Sequence, residues 1–252
     1  MRTKVTYSEW KKAQEWERNF WINDQIKKSK RFKNQIWHLL SLVNLVPEYR
    51  GDDWNLWWKE KFDNYSFLPT VIENAIEIGC GPYTNMRLIL QQSQIKYVVL
   101  NDPLINIYNS FKKTIHSSSS FKGNIISDSH PFEVNPFKYN YFDLVVMINV
   151  LDHVQDATIC MQEAIDITKL GGIFIFGQDL TNDEDEILLR NLEGDTAHPI
   201  KLNHNWVDSW LSNNFKILMK WILPKSEGRN PKAHYGTYIF AGIKIKSRLG
   251  NA

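Results

Sequence analysis

Cysteine is scarce in this chain. Only Cys80 and Cys160 occur among 252 residues, and neither has a CxxC partner or a histidine at zinc-ligand spacing nearby. A small scaffold held together by disulfides, or a cysteine-based zinc site, would need more cysteines at closer spacing. Both classes are therefore excluded, and the chain must rely on a packed core.

Two further features are missing: a charge excess of one sign and a long hydrophobic run. The 30 basic and 28 acidic residues leave a formal net charge of +2, which is too small to predict binding to nucleic acid or to an anionic membrane. No apolar run approaches the roughly 18 residues of a membrane span, and the first residues lack the apolar stretch of a secretory signal. We expect a cytoplasmic protein with no membrane span, for which nucleic acid is an improbable partner.

The first seventy residues read as helices and the rest as alternating strands and helices, with the hydrophobic and charged content of an ordinary globular protein. Thr6 and Glu9 have capping-box spacing, and apolar residues then recur at helical intervals. Two more apolar helical faces follow at 36–46 and 54–62. Residues 1–70 are therefore predicted to form a helical cap, whose tryptophans either pack on the core or wall the active site.

From residue 75 the pattern is regular. Strands are predicted at 75–78, 97–101, 124–127, 142–149, 173–177, 215–223 and 235–245, with helices at 82–92, 104–115, 155–170 and 206–211. Gly171 and Gly172 are expected to stop the third of these helices. The predicted class is α/β, a Rossmann-like seven-stranded, mostly parallel sheet with a C-terminal antiparallel hairpin. It would span 71–252, with an insertion at about 179–200 that includes a helix after Thr181.

The segment Ala75-Ile-Glu-Ile-Gly-Cys-Gly-Pro-Tyr-Thr84 is a strand that enters a glycine loop and opens a helix. Gly79 and Gly81 allow a sharp turn and close approach of a ligand, and the helix N-terminus favours an anionic group. Thr84 stands where a dinucleotide fingerprint has its third glycine. The carboxylate of Glu77 would repel a diphosphate and attract a ligand that carries a sulfonium and an ammonium.

About 20 residues further on, Asp102 ends the next predicted strand. A carboxylate at that place can accept the two hydroxyls of a ribose. It could equally cap the helix that follows Pro103, and the two roles are compatible.

Taken together, these motifs resemble those of class I S-adenosylmethionine-dependent methyltransferases. The match consists of Glu-Ile-Gly-Cys-Gly, the acid Asp102, and the fourth-strand string Phe142-Asp-Leu-Val-Val-Met-Ile-Asn-Val-Leu-Asp-His153. The resemblance implies S-adenosylmethionine as cofactor and S-adenosylhomocysteine as product. The implied cofactor contacts are Glu77, Gly79, Cys80, Gly81, Asp102 and Pro103, with Ser127 and Asp128 at the adenine and Asn149 at the sulfonium. The string Asn-Val-Leu-Asp-His is also similar to methyltransferases of bacterial sugars and small metabolites.

Methyl transfer from a sulfonium depends mainly on in-line placement of the acceptor. A hydroxyl acceptor also needs a base, for which His153 and His198 are the candidates; His153 could instead brace the following helix. His204 and Asp195 could join His198 at a metal ion, but without a cysteine or helical i, i+4 spacing no metal is expected. A basic cluster, 27–33, is either a solvated linker or a clamp for an anionic acceptor.

The leading hypothesis is a methyltransferase that acts on a small-molecule acceptor, most simply a hydroxyl. Three alternatives stay open at this point. The chain could methylate RNA or protein, it could be a dinucleotide-dependent oxidoreductase, or it could be a binding protein that keeps the fold without turnover. The oligomeric state is not predicted.

Overall fold

The computed structural model describes residues 1–30, 54–110, 124–181, 196–228 and 235–247. Seven strands are present in these ranges: β1 (Val71–Ile78), β2 (Gln94–Asn101), β3 (Asn124–Asp128), β4 (Phe142–Ile148), β5 (Thr168–Thr181), β6 (Phe215–Leu223) and β7 (Tyr235–Lys244). The helices are α1 (Tyr7–Lys30), α2 (Trp54–Lys61), α3 (Met86–Ile89), α4 (Ile105–Tyr108), α5 (Ala157–Ile167) and α6 (His204–Asn214), with three short 3₁₀ turns. The helix predicted at 36–46, the helix after Thr181 and the side chains of the basic cluster lie outside the described residues.

All seven strands belong to one sheet in the order β3-β2-β1-β4-β5-β7-β6. The first five are mutually parallel, whereas β7 runs antiparallel to both β5 and β6. The predicted fold class is therefore confirmed. The chain reverses its direction of travel across the sheet between β1 and β4, and the carboxyl ends of the strands on either side of such a switch point open a crevice.

Helix α1 begins where the capping box predicted. The backbone amide of Thr6 donates to Glu9 Oε2 at 2.9 Å, and the amide of Glu9 donates back to Thr6 Oγ1 at 3.3 Å. These bonds satisfy amides that the first helical turn leaves without partners. The helix is thereby fixed at its start.

The end of α5 differs from the prediction. The helix stops at Ile167, and β5 begins at the next residue, so Gly171 and Gly172 lie inside a strand at a register shift between β4 and β5. The helix needs no glycine cap because the buried ammonium of Lys244 donates to the carbonyls of Ile165 and Thr168 at 2.6 and 2.7 Å. A cation at a helix C-terminus stabilises those carbonyls.

Helices α3 and α4 are each only four residues long, shorter than the predicted 82–92 and 104–115; of the latter, residues beyond 110 are not described. Both follow strands whose ends line the switch-point crevice. Because α3 begins only at Met86, residues 82–85 belong to the loop and not to the predicted helix.

The sheet carries an apolar core on each face. One is built from α5, α6 and the inward side chains of β4, β5 and β7, and the other from α2, the turn after it, α3 and the opposite side chains of β1, β2 and β4. Trp58 of α2 is 2% exposed and lies so close to β5 that a Cβ at Gly177 would come within 2.6 Å of its ring. The last helix of the predicted cap, α2, is therefore part of the core.

No helix within the described ranges combines the length and the apolar character that a bilayer crossing demands.

Candidate active site

A cavity of about 420 Å³ opens at the carboxyl ends of β1, β2 and β4. The loops that follow these strands form its floor, and α1 lies over it. Eight of the residues predicted from the sequence line its wall: Gly79, Cys80, Gly81, Asp102, Pro103, Asn149, His153 and His198. Residues from four distant parts of the chain are thus brought to one site by the topology of the sheet.

The glycine loop needs its two glycines for different reasons. Both have positive φ, +62° at Gly79 and +58° at Gly81, a region that side chains disfavour. A Cβ at Gly79 would lie 2.5 Å from Val150 Cγ2, whereas one at Gly81 would meet nothing within 4 Å. Gly79 therefore lets the loop contact the end of β4, and Gly81 supplies only the turn.

Glu77 lies behind this loop and not in the cavity wall. It is 1% exposed; Oε1 accepts the Asn85 amide at 3.0 Å, and Oε2 accepts the Thr84 hydroxyl and the Met86 amide. Burial raises the pKa of Glu77, and the hydrogen bonds from Thr84 and Asn85 oppose that rise. The anion site expected at the helix N-terminus is thus filled by the protein's own carboxyl group, which shapes the loop without facing the cavity.

Asp102 does face the cavity, although it is only 8% exposed. Its Oδ2 accepts the Gly81 amide at 3.0 Å and its Oδ1 accepts the Leu104 amide at 2.8 Å. Burial raises the pKa of this carboxyl to about 6, partly offset by these two bonds. Asp102 therefore ties the loop after β2 to the glycine loop, and each oxygen keeps a further lone pair for a ligand hydroxyl.

At the end of the cavity next to Asn101, where the resemblance implies the adenine, the wall differs from the prediction. Neither Ser127 nor Asp128 lines the cavity, whose wall here consists of Asn101, Phe132 and Glu133. Asp128 instead accepts a hydrogen bond from Asn101 Nδ2 at 2.6 Å and contacts His130 Nδ1 at 2.6 Å. Because Asp128 accepts this bond from Asn101, it fixes the position of a wall residue and does not itself line the cavity. The sequence signal for Phe132 was its place as a large apolar residue at the end of a polar loop.

The opposite end of the cavity holds Asn149, His153 and His198. Asn149 has φ +58° and its Oδ1 accepts the Asp179 amide at 3.1 Å, which fixes the side chain at the end of β4. The rings of His153 and His198 are 4.5 Å apart at 61°. Trp10 Nε1 and Gln14 Nε2 of α1 both donate to the His153 carbonyl, so the helix is joined to this end of the site.

The charged lining of the cavity is acidic. Among the described residues of its wall there are four carboxyl groups and no lysine or arginine; the four are Glu17, Asp24, Asp102 and Glu133. Trp10, Trp16, Phe20 and Trp21 of α1 add an aromatic side. Aromatic faces and carboxylates attract cations, so the cavity suits a ligand that carries an ammonium and a sulfonium and disfavours a diphosphate.

Together, the strand order, the glycine loop after β1, the acid after β2 and the crevice between them define the Rossmann-like fold of class I methyltransferases. Residues 76–176 match the sequence pattern of a family described as methyltransferase domain. Residues 76–176 are therefore similar to a methyltransferase domain, and the fold around them is one that also holds S-adenosyl-L-homocysteine in a solved structure.

Solved structures share the fold at low sequence identity. The N-methyltransferase NodS from Bradyrhizobium japonicum WM9, in complex with S-adenosyl-L-homocysteine, is 15% identical with a TM-score of 0.57, covering 79% of this chain and 92% of NodS. The YcgJ protein of Bacillus subtilis is 14% identical with a TM-score of 0.54, covering 76% and 100%. The [4+2]-cyclase SpnF is 12% identical with a TM-score of 0.54, covering 76% and 81%. Among curated proteins, none matches the sequence significantly.

Proposed function

We propose that the protein transfers the methyl group of S-adenosylmethionine to a small-molecule acceptor, a hydroxyl of a sugar or of another metabolite. The observation that carries the proposal is the acidic cavity at the switch point, with the Asp102 carboxyl directly after β2 and no lysine or arginine among the described wall residues. A cationic nucleoside fits this lining. The charge of the wall also disfavours RNA as the acceptor.

The residues of the cavity fit the cofactor in three places. Asp102 would accept the ribose hydroxyls, since its oxygens keep free lone pairs beside the Gly81 and Leu104 bonds. Asn101 and Phe132 would border the adenine, and the loop 79–81 would hold the methionine part. When bound, S-adenosylmethionine supplies an activated methyl group on a good leaving group.

The chain's own contribution is then to position the acceptor and to exclude water. In-line placement at about 3 to 3.5 Å supplies much of the rate enhancement in such displacements. Asn149, His153 and His198 form the acceptor end, and α1 covers it through the bonds of Trp10 and Gln14 to the His153 carbonyl. We assign His153 and His198 to handling of the acceptor. The cytoplasmic location stays a prediction.

The test is release of S-adenosylhomocysteine, followed by mass spectrometry, with pools of hydroxylated metabolites, of amines, of RNA and of protein. We expect release above the acceptor-free background with a hydroxylated small-molecule pool, and its dependence on acceptor concentration. Release only with RNA or protein would contradict the proposed acceptor class. Cofactor binding without release in any pool would favour the non-catalytic alternative.

A further inference from the structure

Next to Asn149, the loop after β4 and the segment before α6 bring together three side chains that can ligate a metal. These are Asp152, His153 and His198, and one donor atom of each lies within 4.8 Å of the other two. His153 Nε2 is 3.8 Å from Asp152 Oδ1, which is too long for a hydrogen bond. The three groups therefore converge without this carboxylate and imidazole being bonded to each other.

The buried carboxylate of Asp152 is the feature of this cluster that points to a bound ion. The residue is 9% exposed, and its Oδ1 is buried with no hydrogen-bond partner. A buried carboxylate oxygen without a partner is costly and rare in folded proteins. The unpaired Oδ1 lies beside two imidazole rings, and a cation bound among the three groups would supply the partner that this oxygen lacks.

The backbone around the cluster is held from several sides. The His153 carbonyl accepts bonds from Trp10 and Gln14 of α1. The Ile200 amide donates to the Asp152 carbonyl at 3.4 Å, and the Lys201 amide donates to the Arg2 carbonyl at 2.8 Å. A site whose ligands are positioned in advance loses little entropy when an ion binds.

We propose that Asp152, His153 and His198 bind a divalent transition-metal ion. Two imidazole nitrogens with one carboxylate oxygen are a ligand set typical of Zn²⁺ and of other first-row ions. Both histidines line the cavity, so the side of the ion opposite the buried Asp152 faces the acceptor end. The pairing differs from the one weighed in the sequence, because His198 lies against His153 and Asp152.

A metal at this place would bind the oxygen of an acceptor hydroxyl and lower the pKa of that hydroxyl, a known effect of Lewis-acid ions, so that water could take the proton when the oxygen receives the methyl group. This role rests on the proposed function, whereas the binding of the ion does not. It also gives His153 and His198 one shared task instead of two separate ones.

The experiment uses the full-length protein, stripped with a chelator and then titrated with Co²⁺, whose visible absorption reports coordination, and with Zn²⁺ by calorimetry. We expect one ion per chain. Asp152→Asn and His198→Gln should each weaken binding by more than about tenfold, since even the loss of a residue that only hydrogen-bonds a metal ligand weakens binding about 10- to 100-fold. His130→Gln is the matched control, because His130 also pairs with a carboxylate, Asp128, but without a third ligand.

Circular dichroism and cofactor binding of each variant verify the fold. No saturable Co²⁺ spectrum in the wild type, or equal affinity in Asp152→Asn, would overturn the proposal and leave Asp152 and His153 as a metal-free pair. Loss on His204→Gln as large as on Asp152→Asn would also overturn it, in favour of the ligand pair weighed in the sequence. Metal binding without methyl transfer would contradict only the proposed function. Methyl transfer without metal binding would contradict only the metal site.

Discussion

At the scale of single residues, Asp102 both lines the cavity and holds the surrounding loops together. Its two oxygens hold the amides of Gly81 and Leu104, so the carboxyl group joins the loops after β1 and β2 whether or not a ligand is present. The same burial raises its pKa to about 6. The proposed acceptance of ribose hydroxyls needs the ionised carboxylate. With a pKa of about 6, the ionised fraction of Asp102 changes just below neutral pH.

Cofactor affinity should therefore depend on pH through Asp102. Below about pH 6 the unliganded protein keeps a proton on this carboxyl, and at pH 5 only about a tenth of it is ionised, so affinity should drop roughly tenfold. Glu17 raises this pKa and His153 lowers it. Calorimetry from pH 5 to 8 measures the effect, and Asp102→Asn should flatten it. A wild-type affinity that is constant over this range would contradict the assignment.

The same shift has a consequence for stability with a definite sign. The folded-state pKa of about 6 lies above the ordinary 3.8, so the folded state binds the proton more tightly than the unfolded state. The contribution of Asp102 to the free energy of unfolding should therefore decrease as the pH rises from about 4 to about 6. Asp102→Asn removes this dependence, which denaturant titrations at the two pH values would detect.

The two glycines of the loop offer a matched pair of substitutions. Gly81→Ala should cost about 1 to 2 kcal/mol, because alanine must adopt positive φ in open space. Gly79→Ala should cost about 1 to 3 kcal/mol more, since its Cβ would also collide with Val150. Denaturant unfolding measures both. Val150→Ala placed on Gly79→Ala should recover part of the loss, and equal costs for the two glycines would refute the close-approach explanation.

At the scale of elements, α5 shows a limit of sequence reasoning. The glycine pair 171–172 is a sound local stop signal, yet the helix ends earlier because Lys244, from the last strand, supplies its C-terminal hydrogen bonds. Glu77 does the same for the start of α3. Local spacing does not predict a cap that comes from a residue distant in the sequence. It did predict the capping box of α1, whose two residues are only three positions apart.

Helix α1 is attached to the acceptor end of the site by few bonds, and this can be tested. Trp10→Phe keeps an aromatic side chain but removes the indole N–H that donates to the His153 carbonyl, and the lost hydrogen bond should cost about 1 kcal/mol. We expect faster proteolytic cleavage within α1 and a faster cofactor dissociation rate. Tyr7→Phe is the control, because Tyr7 also lies in α1 but is 60% exposed and does not line the cavity. The same response in both variants would show that the His153 bond does not hold the helix.

At the scale of the whole molecule, the fold was predictable because β and α segments alternate with clear periods, and such alternation admits few topologies. The same reasoning predicted three residues of the cavity wall, because residues that directly follow parallel strands meet at one edge of the sheet. These are Gly79, Asp102 and Asn149. Ser127 and Asp128 were predicted to border the adenine, and neither lines the cavity. The Asp128 carboxylate accepts a hydrogen bond from Asn101, a contact that local spacing does not predict. Asp152 was missed since its partner His198 is remote in sequence.

The central claim is that this cavity binds S-adenosylmethionine, and calorimetry of wild-type protein and Asp102→Ala with S-adenosylmethionine, S-adenosylhomocysteine and NAD(P)H tests it most directly. The account predicts saturable binding of the first two by the wild type, no binding of NAD(P)H, and a loss of about 1 to 3 kcal/mol in a folded Asp102→Ala. Binding of NAD(P)H in place of S-adenosylmethionine, or unchanged affinity in Asp102→Ala, would contradict it.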